Sequence, residues 1–407
     1  MGEKNSDYTV IEADRIVDAR GERGPHRITL NKGKILELEP LTTTVRADPN
    51  ERRTLVPGFI DIHVHGGSGR YVMEDEPDVL SVIAHHLAQR GVTSFLPTTI
   101  TAPWDNIEST IGRVFSLRSS PPLGAHILGV HLEGPCINVM MKGAQPPQFV
   151  APPDTDEMKR RIEPYGDTVR VVTLAPEVDG AMSLIRYLNS KNVIVSLGHT
   201  DATYDQVSAA IDHGARHCTH CYNQMRPLHH REPGTVGAAL NRSELRAEVI
   251  WDNIHVHPAA AQILMRAKGR HGVILISDGT PGSGMPVGYE FNFGDLPIRV
   301  QQQGGKLPNG SMAKSTRIGC FLPDGTLAGS AITVADAFVN AIECGASWQD
   351  ATAASSYNAA CALGLEGSKG LIEVGYDADL VQLNENGQVE SVWVDGCQIQ
   401  NEQRPVI

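Results

Sequence analysis

At 407 residues, the chain exceeds the roughly 250–300 residues at which a single hydrophobic core stops growing, so one large unit with a smaller satellite is expected. It carries 41% hydrophobic and 20% charged residues, and no apolar run approaches the roughly 20 residues that span a bilayer, so a soluble globular protein is expected. A formal charge of −12 argues against nucleic acid or an anionic membrane as a general partner, because both select clustered positive charge; it leaves room for one phosphate held by one arginine.

The opening Met1-Gly2-Glu3-Lys4-Asn5-Ser6-Asp7 lacks the basic start and apolar stretch of a secretory leader, so the cytoplasm is expected. Cysteines 136, 218, 221, 320, 344, 361 and 397 form an odd, scattered set, which argues against a disulfide framework. Cys218-Thr219-His220-Cys221 has no second Cys-x-x-Cys to complete a zinc ribbon.

In chain order, residues from about 7 to 56 give short alternating strands: Tyr8–Ile11, Arg27–Leu30 and Lys34–Leu38. The apolar β-branched runs 91–96, 127–132, 169–174, 192–197 and 273–276 then alternate with helical stretches. Strands apolar along their length imply a parallel sheet covered on both faces, and five or more such units over 57–369 suit a TIM-like (β/α)8 barrel. From about 282 to 325 the chain turns Gly-, Pro- and Gln-rich with alternating β fragments, which predicts an inserted β flap. The last forty residues return to strands at Asp379–Leu383 and Ser391–Val394, with Asp395-Gly396 as a hairpin turn. Residues 1–56 and 370–407 are therefore expected to build one small β-sandwich domain on an α/β barrel.

Metal-binding side chains follow the apolar runs, at the end where barrel enzymes keep their chemistry. Phe59-Ile60-Asp61-Ile62-His63-Val64-His65 ends a strand with histidines at i and i+2, which project from one face and can reach one ion. His131-Leu132-Glu133-Gly134-Pro135 puts a carboxylate at the next such place, and Leu197-Gly198-His199 and Thr219-His220 add two more imidazoles. Leu275-Ile276-Ser277-Asp278-Gly279 adds an aspartate. Taken singly, each fits a core histidine, a helix cap or a solvated acid; taken in order, they predict a metal site of His63, His65, Glu133, His199 and His220 with Asp278 as the acid or base.

With Lys142-Gly143-Ala144, Asn223-Gln224-Met225, His229-His230-Arg231-Glu232-Pro233-Gly234, Ile254-His255-Val256-His257-Pro258 and Gly325-Thr326-Leu327-Ala328-Gly329-Ser330, the pattern resembles the amidohydrolase superfamily over nearly the whole chain. Within it, the chain is similar to the deacetylases of N-acetylglucosamine 6-phosphate. The resemblance implies one or two divalent ions, zinc first, with iron, manganese and cobalt as alternatives. Glu133, His199 and His220 would hold the principal ion, and His63 and His65 a second one bridged by Glu133. Asp278 would take a proton from the attacking water and return one to the departing amine. Ala144, Gln145, Asn223, Gln224, His255 and Leu327 would surround the sugar, and Arg231 would grip the phosphate of the neighbouring subunit's substrate in a homodimer.

Three departures bear on the sugar. Gln145 stands where the family commonly has a histidine thought to polarise the acetyl carbonyl, and it cannot become cationic. Gln224 replaces a small alanine, and Cys136 and Cys221 replace bulkier apolar residues; all are expected to line the pocket. N-acetylgalactosamine 6-phosphate is therefore a competing substrate, and a non-catalytic scaffold a competing role that intact Asp278 argues against. A cyclic-amide hydrolase of the superfamily would usually need a modified lysine where Glu133 stands.

Overall fold

The computed structural model describes residues 8–43, 45, 46, 48, 51–293, 296–303 and 317–400. The start used above to expect the cytoplasm lies outside the described residues, as do 294, 295 and 304–316 of the expected flap. Among the described residues no helix is long and apolar enough to cross a membrane, and all seven cysteines are free.

Eight parallel strands form the catalytic-sized unit: β1 Phe59–Val64, β2 Val92–Thr99, β3 Val130–Glu133, β4 Val169–Leu174, β5 Ile194–Leu197, β6 Ala215–Cys218, β7 Arg246–Ile250 and β8 Val273–Ile276. Each hydrogen-bonds to the next in parallel register. The sheet closes on itself where Val64 bridges Gly279 in parallel and Asp278 N donates to His63 O at 2.9 Å. β1, β2, β7 and β8 contain few or no exposed positions, as a barrel covered by helices demands.

The run expected as one strand over 127–132 is broken. His126–Ile127 and β3 both pair with β2, and the chain steps between them at Leu128-Gly129. Gly129 has φ 138, and a Cβ there would lie 2.6 Å from Thr168 O, so only glycine lets the backbone pass.

The flap is a four-stranded antiparallel sheet of Glu290–Phe293, Leu296–Gln303, Arg317–Phe321 and Leu327–Ser330. Its last strand leads back to the barrel, where Ser330 N donates to Asp278 O. The chain ends meet in a six-stranded sheet of order 397–398, 389–394, 380–383, 54–57, 15–18, 21–23. It packs on a three-stranded sheet of 8–13, 26–31 and 34–40 through Ile11, Ile16, Ile28, Leu30, Leu55, Leu380 and Trp393. Asp395 (φ 50) and Gly396 (φ 74) both take left-handed backbone between the paired Val394 and Cys397, the signature of the expected tight hairpin.

Where this sandwich meets the barrel, His126 Nε2 lies 3.6 Å from Asp379 and 3.4 Å from Asp395, while Lys369 Nζ lies 2.5 Å from Asp379. Burial opposes charge on His126, but the two carboxylates outweigh it and push its pKa up to about 9 from 6.5. The pair thus contributes fully below pH 6.5, and its contribution fades as pH rises through about 9. At these separations it is an ion pair without a hydrogen bond, worth about 1 kcal/mol. Urea unfolding from pH 6 to 10 should show that loss in the wild type; His126→Asn should flatten it, and a parallel loss in the variant would assign the slope to other groups.

Candidate metal centre and active site

The six residues read from the strand ends do converge. His63 belongs to β1 and His65 lies just past it; Glu133 ends β3; His199, His220 and Asp278 each sit two residues beyond β5, β6 and β8. Those last three adopt left-handed backbone, with φ of 48, 27 and 49. Non-glycine residues take this region at a cost, so the surrounding structure must enforce it. The turn swings each side chain back over the barrel mouth instead of outward along the strand.

Glu133 is the centre. Its Oε1 lies 3.0 Å from both His199 Nε2 and His220 Nε2, and its Oε2 lies 3.3 Å from His65 Nε2. His63 Nε2 is 3.4 Å from Oε1. The imidazoles also face one another: His63 and His65 Nε2 are 3.2 Å apart, as are His199 and His220 Nε2. Two three-residue groups able to hold an ion share Glu133, namely His63, His65, Glu133 and Glu133, His199, His220.

The outer nitrogens decide the protons. His199 Nδ1 donates to Met141 O at 2.8 Å and His65 Nδ1 to Thr98 O at 3.0 Å, since a carbonyl can only accept. In neutral rings, the Nε2 atoms then carry lone pairs that point at a carboxylate and at each other. Buried lone pairs facing without a proton between them repel, and a cation at their focus removes the conflict. The donor set therefore fits a divalent ion.

The carboxylates and imidazoles also compensate one another by charge. Burial opposes charge on Glu133, yet the imidazoles of His63 and His199 hold its carboxyl well below the usual range. Burial likewise opposes charge on His63, which the Glu133 and Asp278 carboxylates hold well above its ordinary value. Asp278 Oδ1 lies 3.1 Å from His65 Nε2 and 3.6 Å from His63 Nε2; burial disfavours its ionised form, and the His63 and His65 imidazoles outweigh that, lowering its pKa.

A cavity of about 280 Å³ opens over this cluster. His65, Glu133, His199, His220 and Asp278 form its floor, and His63 lies behind them, fully buried. Ala144, Gln145, Asn223, Gln224, His255 and Leu327 line its walls, joined by Gly143, Thr326 and Gly329. One expectation needs correction. Cys136 and Cys221 do not line the cavity; both are buried in the apolar core between sheet and helices, because each follows a strand end where the chain turns under the floor. Gln145 lines the cavity and is tied to its floor. Its Nε2 donates to Glu133 Oε2 at 2.6 Å, and its Oε1 accepts from Thr101 N at 2.7 Å.

Arg231 is outside the cavity. It is exposed, beside His230 Nε2 at 2.8 Å, and among the described residues no arginine or lysine lines the cavity. The sequence reading also missed Asp252, whose Oδ2 lies 2.6 Å from His255 Nδ1, and Glu248, which reaches His63 from behind. Arg246-Ala-Glu-Val-Ile did not stand out as a strand because charges interrupt its apolar run.

A match to the amidohydrolase family covers residues 54–399. The chain is 38% identical over 389 residues to N-acetylgalactosamine-6-phosphate deacetylase from Escherichia coli O157:H7, covering 95% of this chain and 98% of that one. It is also 38% identical over 373 residues to N-acetylglucosamine-6-phosphate deacetylase from Bacillus subtilis (strain 168), covering 89% of each. The structure of an N-acetyl-D-glucosamine-6-phosphate deacetylase mutant from Mycobacterium smegmatis, in complex with N-acetyl-D-glucosamine-6-phosphate, superposes with a TM-score of 0.84 at 30% identity, covering 97% of this chain and all of that one. Matched over that span and aligned almost end to end with these deacetylases, the chain belongs to the amidohydrolase family.

Proposed function

We propose that this chain hydrolyses the N-acetyl group of an N-acetyl-amino-sugar 6-phosphate, N-acetylglucosamine 6-phosphate first, releasing acetate. The observation that carries the reading is the convergence of four imidazole Nε2 atoms on one shared carboxylate, with Asp278 beside them at the floor of a sugar-sized cavity. His63, His65, Glu133, His199 and His220 would hold one or two divalent ions, zinc first. An ion there supplies Lewis acidity, polarising a carbonyl oxygen and bringing the pKa of water from 15.7 to about 7.

The chain's own residues do the rest. Asp278, ionised and open to the cavity, takes a proton from the attacking water and passes it to the departing amine nitrogen. Gln145, itself held by Thr101 N, holds Glu133 in place. His255, braced by Asp252, and Asn223 offer hydrogen bonds to the sugar's polar groups. A phosphomonoester needs a cationic partner, which the described cavity walls do not supply; by the resemblance to the deacetylases, Arg231 from a second copy in a homodimer would take that place. Residues 57–369 would be the catalytic barrel, with 1–56 and 370–407 as the β-sandwich domain; cytoplasmic residence goes with such a metabolic role.

Relatives acting on the gluco and galacto epimers are equally identical to the chain, at 38%, so the assay must include both. Acetate release should be measured from N-acetylglucosamine 6-phosphate, N-acetylgalactosamine 6-phosphate and unphosphorylated N-acetylglucosamine. Release from phosphorylated sugars alone is the expected result. Equal release from the unphosphorylated sugar would remove the phosphate from the reading, and no release by metal-loaded protein would sink the substrate class.

A further inference from the structure

Glu248 lies in the middle of β7 with its side chain fully buried. A carboxylate withdrawn from water needs a compensating charge or a full set of donors. Among the described residues its ion-pair contacts are two histidines, His63 Nδ1 at 3.4 Å and His217 Nδ1 at 3.9 Å, and its Oε1 has no hydrogen-bond partner. The buried charge points at the back of the cluster.

The four cluster histidines are backed in different ways. His65 and His199 donate their Nδ1 protons to backbone carbonyls, and His220 Nδ1 is buried without a hydrogen-bond partner. His63 alone of these four has a carboxylate behind it. A charged acceptor at Nδ1 fixes the tautomer that presents the Nε2 lone pair to the cavity and makes that lone pair more basic.

We propose that Glu248 is a positioning residue that orients His63 and strengthens cation binding in the His63–His65 half of the centre, so that the two halves load with different affinities. This inference rests on the two-ion form of the reading above. The metal consequence follows from charge: Glu248→Gln keeps the shape and an acceptor oxygen, and removes only the anion.

Zinc titrated into the full chain, stripped with a chelator and followed by metal-to-protein stoichiometry, separates the possibilities. The wild type should take two ions in distinguishable steps. E248Q should keep one step and weaken the other by about 10- to 100-fold; a merely loosened fold would weaken both. If E248Q does not fold, Glu248→Asp, which draws the carboxylate back from His63, should weaken the same step. Two unchanged steps in either variant would overturn the inference alone, whereas a wild type that binds one ion would overturn the two-ion reading and the inference with it.

Discussion

Replacing Asp278 by asparagine should lower kcat for acetate release by about 10²- to 10⁴-fold, the range spanned by a positioned general acid or base, with at least one divalent ion per chain retained. Asparagine preserves the side chain's size and its place past β8, but cannot take a proton. The position itself resists casual change: φ 49 is a strained setting that aspartate and asparagine both tolerate better than most residues. Ion content should persist because Glu133, His199 and His220 form their group without Asp278. The measurement is kcat beside metal-to-protein stoichiometry. A wild type no faster than the variant would mean a scaffold that has kept its ligands and lost its chemistry; a variant that loses all its metal would make Asp278 a ligand instead of a proton carrier.

The position of the chemistry was legible because parallel strands impose it. Apolar β-branched runs mark strands buried on both faces, and polar residues placed after them must emerge at one end of the barrel, so His63, Glu133, His199, His220 and Asp278 could be grouped before any distance was known. The distances were not legible. His199, His220 and Asp278 reach the centre through left-handed turns, and nothing in a run such as Leu197-Gly198-His199 says which way the backbone bends. Gln145 shows the same limit in chemistry. Its identity says it cannot become cationic; only packing shows one of its amide protons directed at Glu133. Contacts from behind were invisible for another reason. Glu248 and Asp252 lie in or after β7, whose charges hide its strand pattern; Glu248 meets a histidine 185 residues away along the chain, and Asp252 meets one only three residues on, in the loop beyond the strand.

Neutralising Glu133 should have the other large effect. In Glu133→Gln, metal content is expected to fall below one ion per chain and kcat by more than about 10³-fold, which corresponds to about 4 kcal/mol of transition-state stabilisation. Glu133 belongs to both ion-holding groups, so a single substitution weakens both, unlike any one histidine. The amide also removes the reason for an ion: its NH₂ can donate to His199 or His220 Nε2 across the present 3.0 Å, satisfying lone pairs that otherwise face a carboxylate. Glu133 is already paired with its imidazoles in the metal-free protein, and an amide in its place leaves the charge on His63 less compensated, so the stripped variant should melt below the stripped wild type. Adding zinc should then raise Tm in the wild type alone, by an amount equivalent to about 2.7 kcal/mol at a hundredfold excess over Kd. Equal zinc-induced shifts in both proteins would show that the ion binds without Glu133, and the shared carboxylate would lose its place at the centre of the mechanism.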